Sequence, residues 1–530
     1  MVAPVDFSSR YEQLNDIGVA LSSETDLRRL LERILRTAKA ITRADGGTLY
    51  LISEDRRWLH FEIVRTDSLN LSLGGVNDAP TSRSFNDLPL YRADGTPNTS
   101  LVAAYCALTT RTVNIADAYH EAGFDFSGTR DFDRITGYRS KSFLTVPMKD
   151  HENEVIGVLQ LINAIGPETG AVGIFSEADQ RLAESLASQA AVALNNRRLI
   201  DQLEGLFESF ISLINLAIDE KSRYTGDHCQ RVPALTMMLA EAVSSTEQGP
   251  FADFRLSEKD RHELKIAGLL HDCGKVTTPV HIVDKATKLQ TIWDRIDLVE
   301  ARFEIIRRDA ELSLMRALLA GDNEQEARRT YQEHLAGIEE DRAFLVQVNQ
   351  GCELMRSEDQ ERVRQISRRY RWLNSAGEEV DFLSDDELEN LNIRHGTLTT
   401  AERERVNHHV VATIRMLEAL PWPKHLKNVP EYAGGHHERV DGRGYPRGLA
   451  RDQMSVPARI MGIADIFEAV TARDRPYKPG MRLSDALRVM EGFVREGHID
   501  ADLYQIFVQS KIYLRYARAY LDPDQIDVKE

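Results

Sequence analysis

HDCGK at residues 271–275 and HHERVDGRGYP at residues 436–446 are the stretches on which the reading of this sequence turns. Each sets a histidine beside another potential metal ligand and follows it closely with glycine. Neutral imidazole and carboxylate suit divalent first-row metals. A lone histidine on a helix is ordinarily a packing or surface residue, but these adjacent pairs are improbable as accidental core sequence. His228, His409 and Asp465 lie in the same half of the chain, which makes more candidate ligands than one ion needs. A bridging carboxylate can hold two cations about 3.5–4 Å apart, where they share a hydroxide and clamp the oxygens of an in-line phosphoryl displacement. Asp272, flanked by His271, is the expected bridge.

Outward from these stretches the chain divides by pattern. From about Phe175 onward it reads as helix. Ala193, Asn196, Ile200, Leu203, Phe207, Phe210, Ile214 and Ala217 alternate steps of three and four, the seam of a parallel coiled coil, so a connecting helix that dimerises is expected over 199–220. Gly205 weakens that helix without excluding it. Between residues 290 and 394 a polar stretch carries apolar residues at helical spacing among many charges and reads as a solvated helical hairpin inserted in the helical half. Upstream, Leu27, Leu30, Leu31, Ile34, Leu35 and Ala38 recur at helical spacing, and GGTLYLI, LHFEIV, FLTVPM and VIGVLQLINA read as strands. The first part is therefore expected to be an α+β domain with an antiparallel sheet, and the second all-α.

Length and composition agree with a multidomain soluble protein. The 530 residues exceed one usual domain, and 42% hydrophobic with 28% charged residues is an ordinary globular balance. No apolar run is long enough to span a bilayer and the first residues lack a signal-peptide pattern, so a cytoplasmic protein without a membrane partner is expected. A net charge of −17 argues against general nucleic-acid binding. Cys106, Cys229, Cys273 and Cys352 lack the pairing of a zinc site or a disulfide framework and read as reduced thiols.

The two signatures resemble those of the HD-GYP family, a branch of the HD metal-dependent phosphohydrolases. YTGDHCQRV, LTTAERERVNHH and PARIMGIADIFEAVTARDRPYK follow in the family's order, and the likeness covers about 214–289 and 397–513. The resemblance implies an all-helical domain, here 214–525, that hydrolyses cyclic di-GMP to the linear dinucleotide pGpG or onward to GMP. It implies His228, His271, Asp272, His409, His436, His437 and Asp465 as metal ligands, with iron or manganese as the metal. Lys275 would touch the scissile phosphate or help protonate the leaving oxygen. Asp441, Gly442, Gly444 and Tyr445 would shape the surroundings of guanine and metal, and Arg475 and Lys478 would hold phosphates. Members with three metals carry glutamate where this chain has Tyr224, so two ions are expected. The family's aspartate after the last ligand is here Glu468. The insertion separates KATKL from GTLTTAER, fragments of one short segment in simpler members; a lid, a partner surface and a passive spacer all fit it. A cyclic GMP-AMP substrate and an idle dinucleotide receptor are the alternatives.

The segment 14–198 resembles a GAF domain, a small-molecule sensor. LINA followed by Phe175 and Asp179 looks like the NKFDE signature of cyclic-nucleotide-binding members, with Asn163, Phe175 and Asp179 retained and Ala164 and Gln180 substituted. That likeness implies a ligand pocket using the three retained residues, a cyclic nucleotide among its candidate ligands, and a homodimer whose connecting helix carries the sensor's bias to the catalytic half.

Overall fold

The structure is a computed structural model that describes residues 24, 26–76, 81, 85–221, 228–351, 354–374, 376–473 and 480–528. Its chain forms two compact units, Met1–Phe207 and Glu208–Glu530.

The first unit begins with α1 (Leu27–Thr42), whose first turn is capped by Asp26 accepting from the Arg29 amide at 2.9 Å. Strands β1 (Ala44–Ile52), β2 (Trp58–Thr66), β3 (Leu71–Leu73) and β4 (Leu88–Pro89) follow, then α2 (Val102–Thr109), β5 (Val113–Ile115), α3 (Ser127–Thr136), β6 (Phe143–Lys149), β7 (Val155–Ile165) and β8 (Val172–Gly173). They make one antiparallel sheet in the order β3-β2-β1-β7-β6-β5, with β4 added to β2 and β8 to β7. The four stretches expected as strands lie in β1, β2, β6 and β7. One sheet face is closed by Leu30, Ile34 and Leu35 of α1 and by Leu182, Leu186 and Ala190 of the helix that begins at Glu177, packed on Leu49, Leu144, Val146, Leu159 and Leu161. Each helix buries one apolar stripe on the sheet, the usual two-layer solution.

That helix, α4 (Glu177–Lys221), runs for 45 residues and contains the whole of 199–220. Much of the expected seam is exposed on it: Ile200, Leu203, Phe210 and Ile214 all face outward. Leu199, Leu203, Leu206, Phe210 and Leu213 are each at least half exposed, whereas Ile211 and Ile218 are buried. The stripe keeps the four-three spacing of a coiled-coil seam and shares Leu203 and Phe210 with the expected one.

The second unit is built from α5 (His228–Ser244), α6 (Glu258–Leu270), a 3₁₀ turn over Cys273–Thr277 and α7 (Val280–Val283). The insertion contributes α8 (Ile296–Ala320), α9 (Glu324–Asn349), α10 (Ser357–Arg369), the hairpin β9 (Arg371–Leu373) and β10 (Glu379–Asp381), and α11 (Asp385–Leu391). Then come α12 (Thr400–Glu418), α13 (Val429–Gly434), α14 (Val456–Thr471), α15 (Leu483–Arg495), α16 (Ala501–Gln509) and α17 (Ile512–Tyr520). Capping boxes at Ser257/Asp260 and Thr399/Glu402 fix the starts of α6 and α12, two of the helices that lead to site residues.

The insertion exceeds the solvated hairpin expected of it. Besides the α8–α9 pair it has a third and fourth helix, a β-hairpin, and a core of its own around Phe303, Leu345, Val363, Tyr370 and Phe382. Phe303 and Phe382 pack with ring centroids 4.5 Å apart, and Arg302 grips Glu387 through two hydrogen bonds of 2.7 and 3.0 Å. Its root is also buried: Lys285 donates to Asn390 at 2.8 Å and to both carboxylate oxygens of Glu402 at 2.9 and 2.7 Å. Helical periodicity identifies the long pair, but the sheet residues between α10 and α11 are too few to show a period of two. Among the described residues, no helix is long and apolar enough to cross a membrane.

Candidate metal centre

Seven side chains from five separate elements converge in the second unit. His228 opens α5, and Asp465 lies inside α14. His271 and Asp272 sit between α6 and the 3₁₀ turn. His409 lies inside α12, and His436 and His437 come just after α13. His228 Nε2 lies 3.0 Å from Asp272 Oδ2 and 3.3 Å from Asp465 Oδ1. His271 Nε2 is 3.2 Å from His228 Nε2 and 3.3 Å from Asp272 Oδ2, while His409 Nε2 is 3.1 Å from Asp272 Oδ1. Ligand atoms of His228, His271 and Asp272 fall within 4.8 Å of one another, and so do those of His409, His436 and His437. Asp272 reaches towards both groups, one oxygen to each side.

The outer nitrogens explain why these rings face inward. Nδ1 of His271 donates to the Gly268 carbonyl at 2.7 Å, Nδ1 of His409 to that of Val406 at 2.6 Å, and Nδ1 of His436 to that of Ala433 at 2.5 Å. His228 Nδ1 faces Glu468 Oε2 at 2.5 Å. A carbonyl or an ionised carboxylate can only accept, so Nδ1 carries the proton and Nε2 presents a lone pair to the centre. The centre is then lone pair against lone pair: His409 Nε2, His436 Nε2 and Asp272 Oδ1 are buried without a hydrogen-bond partner. Leaving such atoms unsatisfied is costly, and a cation among them is what the donor set fits. It is nitrogen and oxygen only, a set that suits a divalent first-row cation better than a soft thiophilic metal.

Within the cluster the charged groups lean on one another: burial opposes a charge on His228, yet Glu468, Asp272 and Asp465 hold it well above its ordinary value. Burial opposes ionisation of Asp272, but Lys275 and His271 outweigh it and hold the carboxyl well below the usual carboxylate range. Burial likewise opposes Asp465, and His228 holds it low. Burial pushes His437 down to about 4 and His436 lower than its ordinary value, so both stay neutral and ligand-competent near neutrality. Lys275 Nζ lies 2.6 Å from Asp272 Oδ2.

The remaining expected residues fall differently. Tyr445 stacks on His437, ring centroids 4.8 Å apart and 17° from parallel. Gly444 allows the loop to close, since a Cβ there would lie 2.3 Å from the Arg439 amide, and Gly442 takes the left-handed φ of 77° that its turn requires. Asp441 is held by its neighbours: its carboxylate accepts from Arg439 at 2.8 and 3.1 Å, and its amide donates to the Gly497 carbonyl. Arg475, Lys478 and Tyr224 lie outside the described residues.

In the first unit a cavity of about 250 Å³ opens on the sheet face opposite α1, lined by Phe61, Phe85, Phe132, Tyr138 and Gln160 among others. Asn163, Phe175 and Asp179 do not line it. Asn163 accepts from the Lys141 amide at 2.7 Å and donates to the Arg139 carbonyl at 2.8 Å. Asp179 caps the start of α4 through Ser176, and Phe175 is core. Each of the three holds local structure.

Sequence reasoning did not find several supporting residues. Glu468, noted only as a substitution, joins His228 to Arg231, whose Nε lies 2.7 Å from it. Burial opposes its charge, yet His228 and Arg231 hold it at about 2. Glu263 binds the amide and side chain of Asn428 at 2.6 and 3.1 Å and so ties α6, which leads to His271, to the start of α13, which leads to His436. Replacing Glu468 with glutamine should weaken metal affinity about 10–100-fold, the usual effect of losing such an outer partner. Metal titration of the purified variant checks this, and wild-type affinity would remove Glu468 from the account.

Comparison with known proteins places these features. The GAF domain family matches residues 26–194, and HD domain families match 225–368 and 384–503. The chain is 43% identical over 82 residues to 3'3'-cGAMP-specific phosphodiesterase 1 of Vibrio cholerae, covering 16% of this chain and 19% of that protein. It is 38% identical over 115 residues to a cyclic di-GMP phosphodiesterase of Pseudomonas aeruginosa, covering 22% and 27%. The chain thus spans about a quarter or less of the length of these relatives. Among solved structures it is similar to the GAF domain of an Acinetobacter phosphoenolpyruvate-protein phosphotransferase, at 18% identity and TM-score 0.27, over 37% of this chain and 98% of that one. The antiparallel sheet lies within the GAF domain match, and the buried histidine and carboxylate cluster of the helical second unit lies within the two HD domain matches.

Proposed function

We propose that the chain hydrolyses a cyclic dinucleotide, cyclic di-GMP first, at two divalent cations held by His228, His271, Asp272, His409, His436, His437 and Asp465. The observation that carries this reading is the set of inward lone pairs, with Asp272 turned to both halves of the cluster. Bound there, the cations would lower the pKa of water and neutralise charge on the phosphodiester. Lys275 stands beside Asp272 with its ammonium charge favoured, since Asp272 outweighs the penalty of burial. It would neutralise the scissile phosphate or give a proton to the departing oxygen. Tyr445, stacked on His437, offers an aromatic wall for a base. Iron or manganese is the metal we expect, and pGpG or GMP the product. Similarity to a cyclic GMP-AMP phosphodiesterase supports that dinucleotide as the second substrate reading.

The test is a product assay on metal-loaded, anaerobically purified protein offered both dinucleotides. Release of linear dinucleotide that ceases on chelation supports the reading. No cleavage of either dinucleotide, with metal bound, would leave a receptor.

The GAF domain is proposed to regulate this site as a homodimer paired along α4, in the cytoplasm, with a small-molecule ligand for which cyclic nucleotides are the first candidates. The stripe Leu199, Leu203, Leu206, Phe210 and Leu213 supports the pairing. Phe210→Glu should shift the sedimenting species from dimer to monomer; a variant that sediments as a dimer like the parent would count against the seam.

A further inference from the structure

The last residue of α4 is bound to the turn that carries Lys275. Lys221 Nζ donates to the carbonyl oxygens of Lys275 at 3.2 Å and Thr278 at 2.6 Å, and also to that of Val276. These carbonyls lie at the end of the 3₁₀ turn Cys273–Thr277 and at its cap residue Thr278, whose amide donates to the Lys275 carbonyl at 3.0 Å. An ammonium has three hydrogens, and three acceptors meet it. The same short turn begins at Asp272, whose carbonyl accepts from the Lys275 amide at 2.9 Å. It is wedged on α12 at Gly274, whose amide donates to Thr413 Oγ1 at 2.9 Å. The end of α4 is seated as well, because Ile211 and Ile218 are buried. The helix α4 therefore ends on a cation that holds the turn directly after the expected bridging carboxylate.

We propose that Lys221 is a positioning residue for the metal centre: it fixes the 272–278 turn and delivers any shift or rotation of α4 to Asp272 and Lys275. This rests on the metal-centre reading above and adds the route by which the connecting helix acts on it. Nothing in the sequence marks Lys221, which is separated from the turn by more than fifty residues.

The experiment uses the full-length chain. Lys221→Met keeps the aliphatic stem and deletes all three donors. Amide hydrogen exchange in a peptide covering 271–278 should become faster, while one covering 228–244 exchanges as in the parent. Mn²⁺ affinity should fall about 10-fold, as for an outer partner of a metal site. Lys221→Arg, which keeps a cation and several donors, should restore both readouts. Parent-like exchange and affinity in Lys221→Met would overturn the proposal, and so would a Lys221→Arg variant as impaired as Lys221→Met. The exchange arm needs no metal. A parent protein that takes up no Mn²⁺ would therefore defeat the metal-centre reading, while unchanged exchange in Lys221→Met would defeat the role of Lys221.

Discussion

Asp272→Ala should lose bound metal and at least about 10³-fold in cyclic-dinucleotide turnover, because several kcal/mol of charge stabilisation depend on the cations it would bridge. The argument is geometric. Asp272 Oδ2 is shared by His228, His271 and Lys275, and Oδ1 faces His409. Asp465 adds a second carboxylate, its Oδ1 3.3 Å from His228 Nε2, but the oxygen 3.1 Å from His409 Nε2 belongs to Asp272. Removing it leaves two sets of imidazoles without the anion between them and Lys275 without its partner. Asp272→Asn serves as the control of similar shape: it keeps the volume and drops the charge, so it should fail in the same direction. Metal content and initial rates on the same preparations check both, and a variant with full metal and parental turnover would take Asp272 out of the mechanism.

Gly274→Ala should be nearly as damaging although residue 274 offers no ligand. A Cβ there would lie 2.0 Å from the His409 carbonyl oxygen, 2.5 Å from the Thr413 amide nitrogen and 2.7 Å from Thr413 Oγ1. Two of these are backbone atoms of α12 and cannot swing aside. The turn and the helix must separate, which costs about 3 kcal/mol, at the upper end for overpacking. The shift would also carry His409 away from Asp272. The expected result is a lower urea midpoint for the catalytic transition together with reduced metal content. An unchanged midpoint would show that the close packing of turn on helix is not needed.

The legible part of the site was the part written as neighbours. His271 with Asp272 and His436 with His437 stand out because two candidate ligands are adjacent, and a resemblance to a known family orders the isolated His228, His409 and Asp465 around them. The supporting contacts were not legible, since they join residues far apart in the chain. Glu468 meets His228 across 240 positions, and Glu263 meets Asn428 across 165. An acidic residue on a helix carries no mark of which distant partner it will face. The first domain was legible as strands, because alternation and β-branched runs reflect a sheet with a buried face. The roles of Asn163 and Asp179 were not, since a residue that caps a turn and one that contacts a ligand look alike in sequence. The insertion was half legible: its two long helices repeat at helical spacing, whereas its core forms from Phe303, Tyr370 and Phe382 on three segments that only folding brings together.

The most direct measurement is the metal content of the chain, purified without oxygen or chelator, by elemental analysis. Two equivalents of iron or manganese per chain are predicted, falling below one in His271→Ala. A protein that folds, retains its helical content and takes up no divalent metal under these conditions would contradict the account, because the buried lone pairs of His409, His436 and Asp272 would then have nothing to bind.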